Sequence, residues 1–591
     1  MKKNWNTWNV RSVLSHVLLP QGISASLGIK EFENGNCLRE ALIGRFGEDE
    51  EKIIPGPHAY DGSFTSLEIT WKSTRLQVET ATDGDDWHAV ITPLEVGIKT
   101  PLLTVEAAIL WNRPGYCQRD RDHLIFCTPS GYRHIYTNGT IVDEPVVEIS
   151  CPYLAISLDK AVYLSTDSNK LQDVPQIVEN KKNSYLSDRA SRGNQQEVYD
   201  AMQICMAWDT IYDPLKDRII SPVSRIWCGN SGGWVLFAWD TYFAAWMAGM
   251  ENKEIAYANA IAITEEATEE GFVPNFAHPG GYKSRDRSQP PVGSLTVKAL
   301  CEIFGEYELA KKLFPALLKW NRWWKDHRDH EGFLCWGSTP YEAVTGTSWE
   351  KEGVNDRYGG ALESGLDNSP LYDDISFDHE KTHLLMLADV GLISLYISDC
   401  RALGSLATKL GYAPEADELH ERAERYAKKL EELWDDDFGL YLNKDLTTGK
   451  LSKRISPTNF YPMLAEVPSQ KQAERMVNEH FFNPHEFWGE WILPSIARND
   501  PAYSDQTYWR GRIWAPMNFL VYLSLRNYDL PEARQSLAER SSALLLKEWR
   551  KHGHVHENYN GNTGEGCDVG NSDKFYHWGG LLGLIAIMEK T

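Results

Sequence analysis

Paired cysteines, an excess of positive charge and a long unbroken apolar run are all missing from this 591-residue chain. The ten cysteines (Cys37, Cys117, Cys127, Cys151, Cys205, Cys228, Cys301, Cys335, Cys400 and Cys567) contain no CxxC pair and no zinc-ligand spacing with histidine. Free thiols in a cytoplasmic protein are therefore expected, with no metal and no cofactor. Lysine and arginine number 60 against 83 aspartates and glutamates, a net charge of -23. Such a field repels phosphate and argues against nucleic acid or an anionic membrane surface as partner. The opening MKKNWNTWNVRSVLSHVLLPQG has an apolar run broken by Asn, Arg, Ser and His, unlike a signal peptide or a membrane span.

What is present is core material and aromatic surface. With 42% hydrophobic residues the length predicts two or three domains. The 22 tryptophans and 27 tyrosines mostly serve packing, but aromatic faces also stack on sugar rings, and a neutral small-molecule partner fits the charge.

Residues 1–185 read as β, from the alternating run LEITWKSTRLQVET (67–80) through WHAVITPLEVGI, TVEAAILWNR, HLIFCT, VVEIS and KAVYLST. Short strands at this spacing predict a β-sandwich-like domain. The polar stretch 165–194 is linker-like, and the expected division is 1–185, a linker at 186–200, and 201–591. From about 195 the period is helical, with segments at about 195–213, 233–250, 252–269, 292–307, 308–328, 378–402, 403–412, 415–436, 468–481, 509–527, 531–551 and 575–589. A dozen helices without intervening strands predict a mainly α toroid of helix pairs. Four long loops, 271–291, 329–377, 483–507 and 552–574, are rich in Trp, Asp, Glu, Arg or His, and loops of that length are usually functional. They are expected to meet at one pocket.

Two carboxylates stand out in them. Asp367 follows Ser364 and Gly365 and precedes Asn368, Ser369 and Pro370, in a turn able to aim it. Trp336, Tyr341 and Trp349 are candidate apolar walls that would raise its pKa and keep it an acid. Glu557 lies in HENYNGNTGEG, where glycines let backbone approach a ligand, with Glu565 as a rival. His552, His554 and His556 alternate as a strand face would but lack a carboxylate at ligand spacing.

Five stretches, GWVLFAWDTYFAA (233–245), VPNFAHPGGYKSRDRSQPP (273–291), ESGLDNSP (363–370), YWRGRIWAPMNFLVY (508–522) and HENYNGNTGEG (556–566), together resemble glycoside hydrolase family 63 and, more distantly, the family 37 trehalases. The resemblance covers about 230–570 and implies an (α/α)6 barrel and an inverting glycosidase. It places the general acid on Asp367 and the general base on Glu557, and puts Trp239 and Asp240 in the deepest sugar subsite. Asn275, Arg287 and Gln289 match pocket-lining residues, as do Trp509, Arg510 and Trp514 near the bond cleaved. Here that segment reads WRGRIWAP, with an extra Arg512 and a proline missing from the family's usual WRGPIWPP. Inversion needs carboxylates roughly 6.5–9.5 Å apart, with the acid raised in pKa and the base ionised. Arg287 and Arg510 are expected to hold sugar hydroxyls, with Arg287 or water meeting Asp240 in the free enzyme. The same barrel also carries disaccharide phosphorylases and sugar epimerases, and a non-catalytic carbohydrate binder would keep the tryptophans alone. Substrates of the family are α-glucosides or mannosyl- and glucosyl-glycerate. For a glycerate carboxylate Arg512 or Lys283 is the candidate cation.

Overall fold

In a computed structural model, which describes residues 4–45, 51–341 and 348–590, the β-reading and the helical reading separate into two units. One holds Met1–Asp200 and Ile204–Trp234, the other Ala201–Gln203 and Val235–Thr591. Most of the expected linker is helical: Val174–Ala190 and Gln196–Asp209 span it. The polar composition of 165–194 hid a one-sided helix, in which Val174, Val178, Ile177 and Tyr185 share a face packed on Phe64 and Ala81. Lys182 adds an ion pair with Glu79 at 2.8 Å.

Among its described residues the first unit contains a two-stranded sheet, Ile211–Asp213 with Arg218–Ile220, and two large antiparallel sheets. One runs Trp5–Asn6, Ser15–Leu18, Ile23–Lys30, Leu102–Ile109, Tyr153–Ser157, with Cys37–Leu38 added to the third of these strands. The other has eight strands in the order Tyr116–Asp120, His123–Thr128, Gly131–Thr137, Val162–Ser165, Asp86–Glu95, Thr74–Asp83, Phe64–Trp71, Lys52–His58. The run 67–80 is two strands rather than one. Phe64–Trp71 folds back on Thr74–Asp83 through a turn at Lys72, whose φ is 52°. Buried positions are odd-numbered from Leu67 to Trp71 and even-numbered from Thr74 to Thr80, so the alternation slips by one at the turn and the slip marks the hairpin.

In the second unit the helices sort by how they are buried. All twelve residues of Ala238–Gly249 and all eleven of Ala515–Leu525 are buried, as a segment surrounded by others requires. Ala413–Glu431 instead buries one stripe, Ala416, Leu419, Ala423, Tyr426, Ala427 and Leu430, together with Arg422, which pairs with Glu418, and turns most of its other charges outward. Six apolar segments touch in succession and close a ring: Ala238–Gly249, Gly293–Phe304, Val390–Leu410, the 3-10 segment Pro457–Met463, Ala515–Leu525 and Leu581–Lys590. Amphipathic helices pack outside it, Lys253–Thr264 on the first segment and Ala413–Glu431 on the third. The expected 378–402 and 403–412 helices are one, Val390–Leu410, capped by Asp389 and ended by Gly411 at φ 79°. It is apolar and long enough to cross a membrane but is mostly buried in the protein. The expected 509–527 helix begins only at Ala515, because Tyr508–Trp514 is loop.

If Val174–Ala190 is a docked helix, Val178→Asp should expose the neighbouring bonds to protease and lower the melting temperature, whereas Asn180→Ala on the exposed face should change neither. Equal protease resistance of Val178→Asp and the parent would contradict the docking.

Candidate active site

The catalytic-site candidates gather at the start of the ring segments. Glu363 is the anchor. It ends the Arg357–Ser364 helix fully buried, and its carboxylate accepts from Arg328 Nε at 2.7 Å and Nη2 at 2.9 Å. The same carboxylate accepts from the backbone N–H of Ser288 at 2.8 Å and of Gly337 at 2.7 Å. Arg328 also donates to the Asp286 carbonyl at 3.0 Å. One ion pair thus ties the loops 271–291, 329–341 and 363–374 together.

Immediately after it Gly365 adopts φ 70°, and a Cβ there would meet Cζ2 of Trp239 at 2.7 Å. A side chain is excluded both by conformation and by the indole lying against the turn. That turn delivers Asp367, half-buried. Burial pushes its carboxyl up to about 7 against the opposing charge of Arg287. Asn368 fixes the turn from the other side, accepting from the Trp509 N–H at 2.8 Å.

Glu557 is buried, 4% exposed. It accepts from the Tyr508 hydroxyl at 3.0 Å and from the Asp573 N–H at 3.2 Å. Burial, then the Asp573 carboxylate, hold its pKa well above the usual glutamate range, and Asp367 adds to the rise. The expectation of a freely ionised base is thus corrected: in the unliganded pocket, desolvation outweighs the donors. Burial also keeps Tyr508 protonated, with Glu557 and Asp367 reinforcing it, so that it remains a donor. Glu565 is half-exposed, beside Lys551 at 4.0 Å and Thr563, and is not in this cluster.

Aromatic rings enclose the carboxylates. Trp509 stacks on Trp514 at 3.6 Å and 9°, and Trp239 stands 6.2 Å from Trp509 and edge-on to Trp578 at 5.6 Å. The Trp239 N–H reaches Gln289 Oε1 at 3.4 Å. Asp240, 2% exposed, accepts from the Tyr576 hydroxyl at 2.9 Å, and burial raises it to about 7, with Asp367 contributing. Its partner is therefore Tyr576, not Arg287. Arg287 is fully buried between Asp286, at 2.7 Å, and Glu350, at 2.8 Å. Asn275 bonds the Leu362 carbonyl at 3.4 Å, and its buried Oδ1 has no hydrogen-bond partner among the described residues.

Other expected contributors are placed elsewhere. Trp336 is a core residue, edge-on to Trp324 at 5.8 Å. Tyr341 lies under the Arg285 guanidinium and lines, with Lys283 and Glu350, a cavity of about 330 Å³. The Trp349 side chain falls outside the described residues. Arg510 is tied to Asp505 at 2.7 Å and Asp373 at 3.0 Å, so a sugar hydroxyl would have to displace an ion pair to reach it. Arg512 is likewise committed, to Asp568 at 2.6 Å and to Asn558. It clasps the Tyr508–Trp514 segment to the loop that carries Glu557. His556 is engaged by Cys567 Sγ at 2.9 Å and Glu548 at 3.3 Å. Among the described residues no group of three or more His, Cys, Asp or Glu is arranged to hold a metal. Sequence reasoning missed Tyr508, Tyr576 and Asp573. Tyr508 and Tyr576 stand in aromatic-rich runs that composition assigns to core.

A half-buried Asp367 whose charge acts on a buried Glu557, beside a cluster of tryptophans, is an arrangement able to exchange protons with a neutral polar substrate. The chain matches the mannosylglycerate hydrolase MGH1-like glycoside hydrolase domain over residues 234–578, and it belongs to that family, within glycoside hydrolase family 63. It is 24% identical over 484 residues to mannosylglycerate hydrolase MGH1 of Selaginella moellendorffii, covering 68% of this chain and 92% of that one. It is 26% identical over 275 residues to a probable mannosyl-oligosaccharide glucosidase of Schizosaccharomyces pombe, covering 44% of this chain and 32% of that protein. In fold it is similar to a bacterial glucoamylase solved with acarbose, with TM-score 0.51 and 11% identity, over 99% of this chain and 93% of the other.

Arg328→Met should leave Glu363 charged and buried without its partner, costing about 3–5 kcal/mol of stability. Denaturant unfolding followed by tryptophan fluorescence measures this; a midpoint equal to the parent's would remove the pair from its anchoring role.

Proposed function

We propose that this protein is an inverting, exo-acting glycoside hydrolase of the cytoplasm that cleaves α-linked glucosides or related small α-glycosides on an (α/α)6 barrel. The N-terminal unit is read as its β-sandwich. The observation that carries this is the electrostatic coupling of Asp367 and Glu557, 190 residues apart in sequence, inside one buried aromatic pocket. The closed ring of six inner segments supports the barrel.

In this reading Asp367 protonates the leaving oxygen, and its raised pKa keeps the proton available near neutrality. Glu557 takes a proton from water as that water attacks the anomeric carbon from the opposite face. Tyr508 holds the base carboxylate by one oxygen and leaves the other to the Asp573 N–H and the water. Glu557 must lose its proton before it can act. Substrate hydroxyls and the bound water are the groups that replace lost solvation there. Asp240 follows Trp239 and Gln289 accepts from its backbone N–H, and in this reading both meet the terminal sugar, which makes the site a pocket and the action exo.

A phosphorylase would use phosphate as nucleophile and has no need of Glu557, whose burial among donors favours hydrolysis. A second reading, hydrolysis of mannosyl- or glucosyl-glycerate, is favoured by the cavity at Tyr341. Lys283 and Arg285 both line it, and its Glu350 holds the Arg287 whose charge acts on Asp367. Lys283 is paired with Glu266 at 3.3 Å, so Arg285, on an exposed Glu269, is the more available cation. Hydrolysis rates on α-linked disaccharides against glycerate glycosides decide between the two.

Asp367→Asn and Glu557→Gln should each lower turnover by at least about 10²–10⁴ with the fold intact, while Glu565→Gln remains active. Proton NMR of fresh product from an α-linked substrate should show the β-anomer first; an initial α-anomer excludes inversion. The pH profile follows from the two shifts. kcat/KM should fall as pH rises through about 7, where Asp367 loses its proton. It should also fall on the acid side at a pH above the ordinary glutamate range, where Glu557 gains one. Because the pair is coupled, the two limbs belong to it jointly. An alkaline limb that lies far above neutrality and does not move in Asp367→Asn would remove Asp367 as the acid.

A further inference from the structure

The ring segments converge at both ends. Asp240, Gln289, Trp514 and Trp578 stand at or just before the N-terminal ends of four of them. A further cavity, of about 470 Å³, is lined by residues of five of the segments and by Leu464 and Glu466, which follow the sixth, Pro457–Met463. Its apolar lining includes Trp246, Leu295, Leu464 and Leu523. Trp246 lies two turns along the helix that carries Asp240, so this cavity is separate from the catalytic pocket.

Five charged side chains line the cavity, and three of them are already engaged. Lys298 and Glu302 pair at 2.9 Å. Arg401 pairs with Glu424 at 3.2 Å and donates to the Ala465 carbonyl. The remaining two are Arg526, which caps the C-terminus of Ala515–Leu525, and Glu466, held at φ 53° in the turn after Pro457–Met463. Both are exposed and line the cavity. Neither side chain makes a hydrogen bond or ion pair with the described residues, nor do they bridge to each other.

One free cation and one free anion above an apolar floor select the ligand. A simple anion would satisfy Arg526 but meet Glu466 and the partial negative charge of the helix C-termini. A neutral sugar would leave both charges unmatched. A zwitterion matches both, and its apolar part covers surface that is otherwise hydrated. The volume lies within the range of small-molecule pockets.

We propose that this cavity is a second ligand site for a free α-amino acid with an apolar side chain. Its carboxylate lies on Arg526, its ammonium on Glu466 and the nearby helix-end carbonyls, and its side chain on Trp246, Leu295 and Leu523. The site is independent of the catalytic reading.

The test is thermal-shift and calorimetric titration of the whole protein with L-leucine and L-phenylalanine up to about 10 mM, a range in which weak sites are detected. N-acetyl-L-leucine and L-leucinamide, each lacking one charge, serve as comparison ligands. Saturable binding is expected for the two amino acids, at least about tenfold weaker for the single-charge analogues, lost in Arg526→Met and Glu466→Gln, and retained in Asp367→Asn. The proposal is overturned if neither amino acid binds the parent protein, if binding persists unchanged in both Arg526→Met and Glu466→Gln, or if glucose displaces the amino acid, which would place it in the catalytic pocket. Unchanged melting temperatures of the two variants without ligand separate lost binding from lost folding.

Discussion

The Glu363–Arg328 pair is the interaction on which the catalytic arrangement depends. Both side chains are removed from water, a costly state for either charge alone. The glutamate compensates with two backbone N–H donors as well as the guanidinium, so every partner it collects becomes part of the same rigid unit. Those partners come from separate loops. A loop is a poor platform for chemistry unless something fixes it, and here one carboxylate fixes the stretch that supplies Gln289, the stretch that follows Trp336 and the turn that carries Asp367.

On that platform desolvation sets the chemistry. Asp240, Asp367 and Glu557 are all pushed upward by burial, and each of the first and last also feels Asp367. Such a group of acids is unfavourable when fully ionised, and the tryptophans that wall it make it more so. The donors differ among the three. Asp240 has Tyr576, Glu557 has Tyr508 and a backbone N–H, and Asp367 has the more distant charge of Arg287. The carboxyl with the fewest donors is the one assigned to carry a proton, which is the direction acid catalysis requires.

The ring explains why one set of helices serves both ends. Segments surrounded on all sides are apolar along most of their length, and a polar residue within one needs its own partners, as Asp399 has in Asn321 and the Ser294 N–H. The N-terminal ends receive the long loops and the carboxylates. The C-terminal ends receive short turns such as 464–468 and the basic caps that favour a helix C-terminus, Arg526 among them.

Much of this was legible in the chain itself. Short alternating strands before about 165 and helical periods after 195 follow from local pattern, and the five motif stretches carried the family and brought Asp367, Glu557, Trp239 and Asp240 forward as candidates. Fully surrounded helices are apolar throughout and outer ones are striped, because burial geometry writes itself into the period of the sequence. What tertiary structure decided was partnership. Nothing in RSQPP or WRGRIW reveals that Arg287 is spent on Asp286 and Glu350, that Arg510 is held by Asp505 and Asp373, or that Arg512 clasps Asp568, since each partner except Asp286 and Asp505 is distant in sequence. Likewise Trp336 and Tyr341 lie near Asp367 in sequence but pack elsewhere, and Tyr508 and Tyr576 reach the acids only when the ring closes. Local pattern fixes which face of an element is buried; which charge finds which partner depends on contacts between segments hundreds of residues apart.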